Sequence, residues 1–176
     1  MSPTPAQLCY QPIGRIHSPF KEIKGMPIQP SGARGTRGTV SIFPEFAAGL
    51  KDLEGFSHII LLYHFHKAEG SDLIVTPFLD SQPHGVFATR APRRPNPIGI
   101  STVRLLKILA NNLTIEDVDI LDGTPLIDIK PCVPAFDHQS VDRIGWLGQT
   151  SHLTETTVAD ERFARPAISP RKPGES

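Results

Sequence analysis

The stretch "ATRAPRRPNPIG", residues 88–99, places Arg90, Arg93 and Arg94 among Pro92, Pro95 and Pro97. Proline fixes φ, withholds a backbone donor and pushes the preceding residue toward extended geometry, so this segment is a stiff extended loop and not a helix. Guanidinium groups held at nearly fixed spacing suit an anionic, planar partner, because each presents a rigid fork of donors to a carboxylate or phosphate. Asn96 is pinned between two prolines, and an amide held this way accepts hydrogen bonds from an exocyclic amine in a fixed direction. Gly99 then permits close backbone approach. The cluster also reads as surface arginines on a turn, since charge clusters are often only solvated faces; the proline-flanked asparagine favours the binding reading.

Two further groupings carry chemistry. His58, His64 and His66 share strand parity, and His64 and His66 leave the same face of a strand, so a metal site built on them is an alternative. The spacing fixes no third ligand or carboxylate, and strand histidines that are hydrogen-bonded or half exposed explain it equally. "DGTP", Asp122 to Pro125, is either an ordinary turn or a carboxylate for a ribose hydroxyl or a cationic ligand group. The chain contains no glycine-rich dinucleotide fingerprint, no triphosphate loop, no nucleophile elbow and no H-E-x-x-H pair, which removes the usual support for hydrolase and kinase chemistry.

These residues need a scaffold of strands. Eighteen prolines and fourteen glycines in 176 residues favour strands and turns over long helices, and the length suits one domain. Strands are expected in "YQPIGRI", "TVSIF", "SHIILLYHFH", "HGVFATR", "ISTVRLLKIL", "LTIEDVDIL" and "LIDIKP". The third is a near-continuous apolar run that predicts burial on both faces. "ISTVRLLKIL" and "LTIEDVDIL" flank "ANN", a hairpin in which asparagine supplies the positive φ of a tight turn. "PEFAAGLKDLEGF" spaces Phe46, Leu50 and Leu53 for one short helix ending near Gly55. "KGMPIQPSGARGTRG" reads as a long functional loop. The expected fold is mainly β: a small β-barrel or sandwich with one short helix and long loops, and no βαβ unit. Residues 8–140 form the domain, and 141–176 form an extension with a partly disordered, proline-rich tail.

No apolar run reaches the roughly 18 residues a membrane span requires, and the first residues lack the pattern of a signal peptide, so the expected location is cytoplasmic. Cys9 and Cys132 then read as free thiols. Acidic and basic residues balance at eighteen each, which argues against broad nucleic-acid affinity and against a DNA partner, and confines any polyanion contact to a local patch.

"GVFATRAPRRPNPIGIS", with "QPSGARG" and "LEGFSHIILLYHF" upstream and "DGTPLIDIKP" downstream, resembles the TsaA-like or TrmO family of S-adenosylmethionine-dependent tRNA methyltransferases over roughly 13–134. The resemblance implies a homodimeric, non-Rossmann β-barrel that methylates N6 of a threonylcarbamoylated adenosine beside the tRNA anticodon. By motif position, it implies that S-adenosylmethionine is bound by Gln29, Pro30 and Ser31 of the long loop, by Phe65 and His66, by Arg90 and Ile100, and by Asp122, Gly123, Thr124 and Pro125. The chain is similar to the shorter members, which lack an added C-terminal domain, and it carries Cys132 where an aromatic residue is common. Arg93 and Arg94 are expected to grip RNA phosphate or the threonylcarbamoyl carboxylate, and Asn96 to accept from the reacting amine and serve the catalytic step. No metal is required. The remaining alternative is a non-catalytic module that binds S-adenosylmethionine and RNA.

Overall fold

The computed structural model describes residues 8–163. Six of its eight strands close an antiparallel barrel: β1 (Gly14–His17), β2 (Arg37–Ile42), β3 (His58–His64), β6 (Ile98–Leu109), β7 (Asn112–Glu116) and β8 (Thr124–Pro131), in the order β1-β2-β7-β6-β3-β8 with β8 returning to β1. β4 (Ile74–Val75) and β5 (His84–Gly85) make a separate two-stranded ribbon. The expected small β-barrel is therefore what the chain forms, and closure removes the exposed sheet edges that invite association. Among the described residues no helix is long and apolar enough to cross a membrane.

The period-2 alternation of the strands fills the barrel. Ile16, Val40, Ile42, Ile59, Leu61, Val103, Leu113, Ile115 and Leu126 are buried in one continuous core. β3 departs from expectation: Ile59, Leu61 and Tyr63 are buried, but Ile60 and Leu62 are only partly covered and His64 is exposed. An antiparallel barrel has one interior, so an apolar run cannot be buried on both faces unless another layer covers the outside.

Other local corrections have physical causes. The segment expected as one short helix is two 3-10 pieces, Pro44–Leu50 and Leu53–Gly55, interrupted at Asp52, whose φ is 67°. Its apolar stripe faces the core as expected, with Leu50 buried and Phe46 and Leu53 packed on it. The β6–β7 hairpin forms, but the positive φ falls on Ala110 (54°) and not on an asparagine. In "HGVFATR" only His84–Gly85 pairs as a strand, and Val86–Ala88 is a 3-10 turn.

The long loop before β2 is strapped across one end of the barrel. Gly25 donates to the Ala159 carbonyl at 2.8 Å and Ala159 to the Met26 carbonyl at 2.7 Å, Pro27 pairs with Val158, and Arg34 meets Glu155 at 3.0 Å. Residues 145–163 run in short 3-10 turns, and Glu155 in the second of them and Val158 and Ala159 in the stretch that follows supply these partners. A second apolar cluster beneath them joins Val75, Val86, Ala91 and Phe163, with Phe78 edge-on to Phe163 at 5.1 Å.

Candidate active site

The site lies where β3 ends and β6 begins. Tyr63 pairs with Gly99 across the two strands, and a Cβ on Gly99 would collide with the Tyr63 ring. Glycine at 99 is thus required by close approach, and it lets the tyrosine fill the barrel end. Beyond Tyr63 the strand breaks: Phe65 donates to the Pro97 carbonyl at 2.8 Å and His66 folds back onto the His64 carbonyl. That bend undoes the strand parity of the histidines. His66 turns into the cavity while His64 stays exposed and His58 contacts Ser57 at 3.0 Å. His58, His64 and His66 are not brought together, and among the described residues no group of three metal-ligating side chains forms.

Around this bend the chain encloses an inner cavity of about 180 Å³. Its apolar walls include Met26, Phe65, Ile100 and Phe163, and its polar wall includes Gln29, His66, Arg90, Arg94, Asp119 and Thr124. A larger groove of about 730 Å³ adjoins it and shares Gln29 and Arg90, with Pro30, Ser31, Phe87 and Trp146 on its far side. Arg90 donates to the Gln29 side chain at 2.9 Å, so one hydrogen bond joins the strap to the arginine loop along the boundary between the two spaces. A third depression groups Arg90, Arg94, Asn96 and Ile100.

Most of the site residues expected from the sequence therefore converge: Gln29, Phe65, His66, Arg90, Ile100 and Thr124 line the inner cavity, Pro30 and Ser31 the groove, and Arg94 and Asn96 the depression beside it. Arg93 does not join them. It is 6% exposed and its guanidinium meets Asp72 at 3.1 Å, so it braces the loop from inside and presents no face for RNA. Asp122, Gly123 and Pro125 also stand outside these spaces. Asp122 faces the segment just after β1, where it meets Lys21 at 2.7 Å and accepts from the Ser18 amide at 3.1 Å. These contacts, Lys21 first, hold its carboxyl below the ordinary aspartate range. Gly123 takes a φ of 75° and bonds to Ile16, and Pro125 sits in register with Arg15, so "DGTP" forms the turn that starts β8 and contributes only Thr124 to the cavity.

The electrostatics of the cavity are set by few groups. Thr124 donates its single hydroxyl proton to the Leu121 carbonyl at 2.7 Å, so the contact at 3.3 Å with His66 Nδ1 requires that nitrogen to be the donor. Burial, and then the neighbouring charge of Lys67, lowers the His66 pKa and favours the neutral ring. Ser101 donates to Asp119 at 2.7 Å and its oxygen stands 3.0 Å from the Tyr63 hydroxyl, which must then be the donor. Asp119 was missed in the sequence because it sat inside an expected strand. Asp117 has a φ of 67°, and past it the buried positions shift from 113 and 115 to 118 and 120. The signal was the second aspartate in "EDVD".

Fold and site together define a small closed β-barrel with a ligand pocket at one end, suited to a molecule that combines a flat apolar part with both charge signs. Residues 15–138 match the family model for the tRNA-methyltransferase O N-terminal domain, and the chain belongs to that family. It is 60% identical over 159 residues to a probable S-adenosyl-L-methionine-binding protein of Pyrococcus abyssi, covering 90% of this chain and 86% of that one. It is 37% identical over 160 residues to the tRNA (adenine(37)-N6)-methyltransferase of Escherichia coli, covering 85% of this chain and 68% of that one. The crystal structure of TrmO from Pseudomonas aeruginosa superposes with a TM-score of 0.68 at 42% identity, over 80% of this chain and 62% of that one. This chain thus spans less than two thirds of the length of that solved protein.

Proposed function

We propose that this protein is a cytoplasmic, homodimeric methyltransferase that uses S-adenosylmethionine to methylate N6 of the threonylcarbamoylated adenosine next to the tRNA anticodon. The observation that carries the reading is the convergence of Gln29, Phe65, His66, Arg90, Ile100 and Thr124 on one cavity at the barrel end, in a chain of this family. Those residues fit the cofactor's chemistry. Phe65 and Ile100 offer flat apolar surface, Arg90 and Arg94 offer guanidinium donors for a carboxylate, and Asp119 offers an anion for a cation. The inner cavity alone is smaller than the roughly 300–1,000 Å³ of ordinary ligand sites, so the cofactor would also need the adjoining groove that shares Gln29 and Arg90 with it. We place no direct contact on Asp122, Gly123 or Pro125.

When bound, S-adenosylmethionine supplies an electrophilic methyl group. An adenosine N6 amine is a weak nucleophile because its lone pair is delocalised into the ring, so the chain's task is to hold that nitrogen in line and to accept from its N–H bonds. Such positioning contributes on the order of 7–11 kcal/mol. Asn96 is exposed in the depression beside the cavity, and its own carbonyl already accepts from Ile98 at 2.8 Å. Its side-chain amide is therefore the acceptor offered to the amine. Arg94 donates to the Thr89 carbonyl at 3.3 Å and keeps further donors for phosphate or for the threonylcarbamoyl carboxylate. Phe87, 77% exposed at the groove mouth, is placed to stack on a base.

The test is nucleoside mass spectrometry of tRNA incubated with the protein and S-adenosylmethionine, with Asn96→Ala in parallel. Methylated threonylcarbamoyladenosine, at a yield that the substitution sharply reduces, is the expected result. Cofactor binding without transfer to any tRNA would leave the non-catalytic module as the correct reading.

A further inference from the structure

Asp119 is the one carboxylate among the described residues that line the inner cavity, whose cationic side chains are Arg90, Arg94 and Lys67, and Arg90 is the one whose charge acts on it. Within 4 Å no cation closes on it among the described residues, and its hydrogen bond comes from the neutral hydroxyl of Ser101. The nearby acceptors each already take a hydrogen bond. Ser101 accepts from Tyr63 and Thr124 from His66, while the Ile120 and Leu121 carbonyls accept from Ser18 at 2.6 Å and from Thr124 at 2.7 Å. An ammonium group, which needs several acceptors, is poorly served here. A cation without N–H bonds needs only a single anion and polarisable walls, and the edge-to-face pair of Tyr63 and Phe65 at 5.4 Å supplies the latter.

We infer that Asp119 pairs with the positively charged sulfur of S-adenosylmethionine and thereby makes the pocket prefer the charged cofactor over its neutral demethylated product. The inference rests on the cavity being the cofactor site. Before transfer Asp119 faces a sulfonium. Afterwards it faces a neutral thioether, because the electron pair of the broken C–S bond stays on sulfur while the methyl group joins the acceptor nitrogen and the displaced N–H proton passes to water. Loss of that ion pair weakens product binding specifically. The carboxylate also costs the fold something, since burial pushes its pKa up to about 6, and a ligand cation offsets that cost.

Calorimetric titration of the full chain with S-adenosylmethionine and, separately, with S-adenosylhomocysteine at neutral pH tests this, using wild type and Asp119→Asn. Asparagine keeps an oxygen for Ser101 and removes only the charge. The expected result is a loss of about tenfold or more for S-adenosylmethionine with a change under about twofold for S-adenosylhomocysteine. Equal losses for both ligands, or no loss for either, would overturn the inference and leave the cofactor reading intact. Wild-type protein that binds neither ligand would overturn both. If the asparagine variant does not fold, Ser101→Ala, which leaves the carboxylate unheld, must shrink the same affinity ratio; an unchanged ratio counts against the inference.

Discussion

Ser101 donates its hydroxyl to Asp119 at 2.7 Å in the wall of the inner cavity. The bond lowers the carboxyl's pKa, but desolvation outweighs it and leaves the group at about 6, against about 3.9 for an unstructured aspartate. The folded state therefore holds this proton more tightly than the unfolded chain. Its contribution to stability is full at low pH and declines as pH rises through the interval from roughly 4 to 6. The charged group acting on it is Arg90, and the Tyr63 phenol joined to it through Ser101 is neutral. Asp119→Asn should remove that decline, so that the variant is more stable than wild type by about 1–2 kcal/mol at neutral pH, after discounting for partial exposure, and equal to it near pH 4. Denaturant melts across this range decide the matter; curves that stay parallel would refute the assignment.

Gly99 faces Tyr63 with no room for a side chain. Gly99→Ala is expected to displace the Tyr63 ring or part β3 from β6, costing about 1–3 kcal/mol in an equilibrium unfolding measurement. Because Tyr63 supports Ser101, the same variant should also weaken cofactor binding. A variant as stable as wild type would show that the barrel end is looser than the packing implies.

Arg93 is buried and bridges to Asp72, which is itself partly exposed. Arg93→Met should lower stability by about 1–3 kcal/mol, through the loss of a charge-assisted contact, without weakening tRNA binding by the folded protein. A well-folded variant with reduced tRNA affinity in a gel-shift assay would return Arg93 to the substrate surface.

Strand order and strap position could not be read from the sequence, yet the barrel class and most of the cavity could. Alternation in "GRIH", "TVSI" and "NLTI" marks core positions because a barrel has one interior, and the proline-stiffened loop keeps its place whatever surrounds it. What escaped depends on tertiary context. Whether Arg93 or Arg94 turns inward depends on Asp72, about twenty residues earlier in the chain. Asp119 became visible only once a positive φ at Asp117 shifted the buried phase by one residue. The inward turn of His66 required the break in β3 after His64, which short-range periodicity cannot signal. Asp122 has the chemistry of a site residue, but Lys21 and Ser18, just past the neighbouring strand β1, claim it.

Hydrogen-exchange mass spectrometry of the protein with and without S-adenosylmethionine tests most directly that the strapped barrel end is the cofactor site. Slowed exchange is expected in the strap at 23–31, around 90 and 98–100, across 118–124 and in the packed segment 155–163, with β2 and β7 unchanged. Binding accompanied by protection elsewhere, with these segments unaffected, would contradict it.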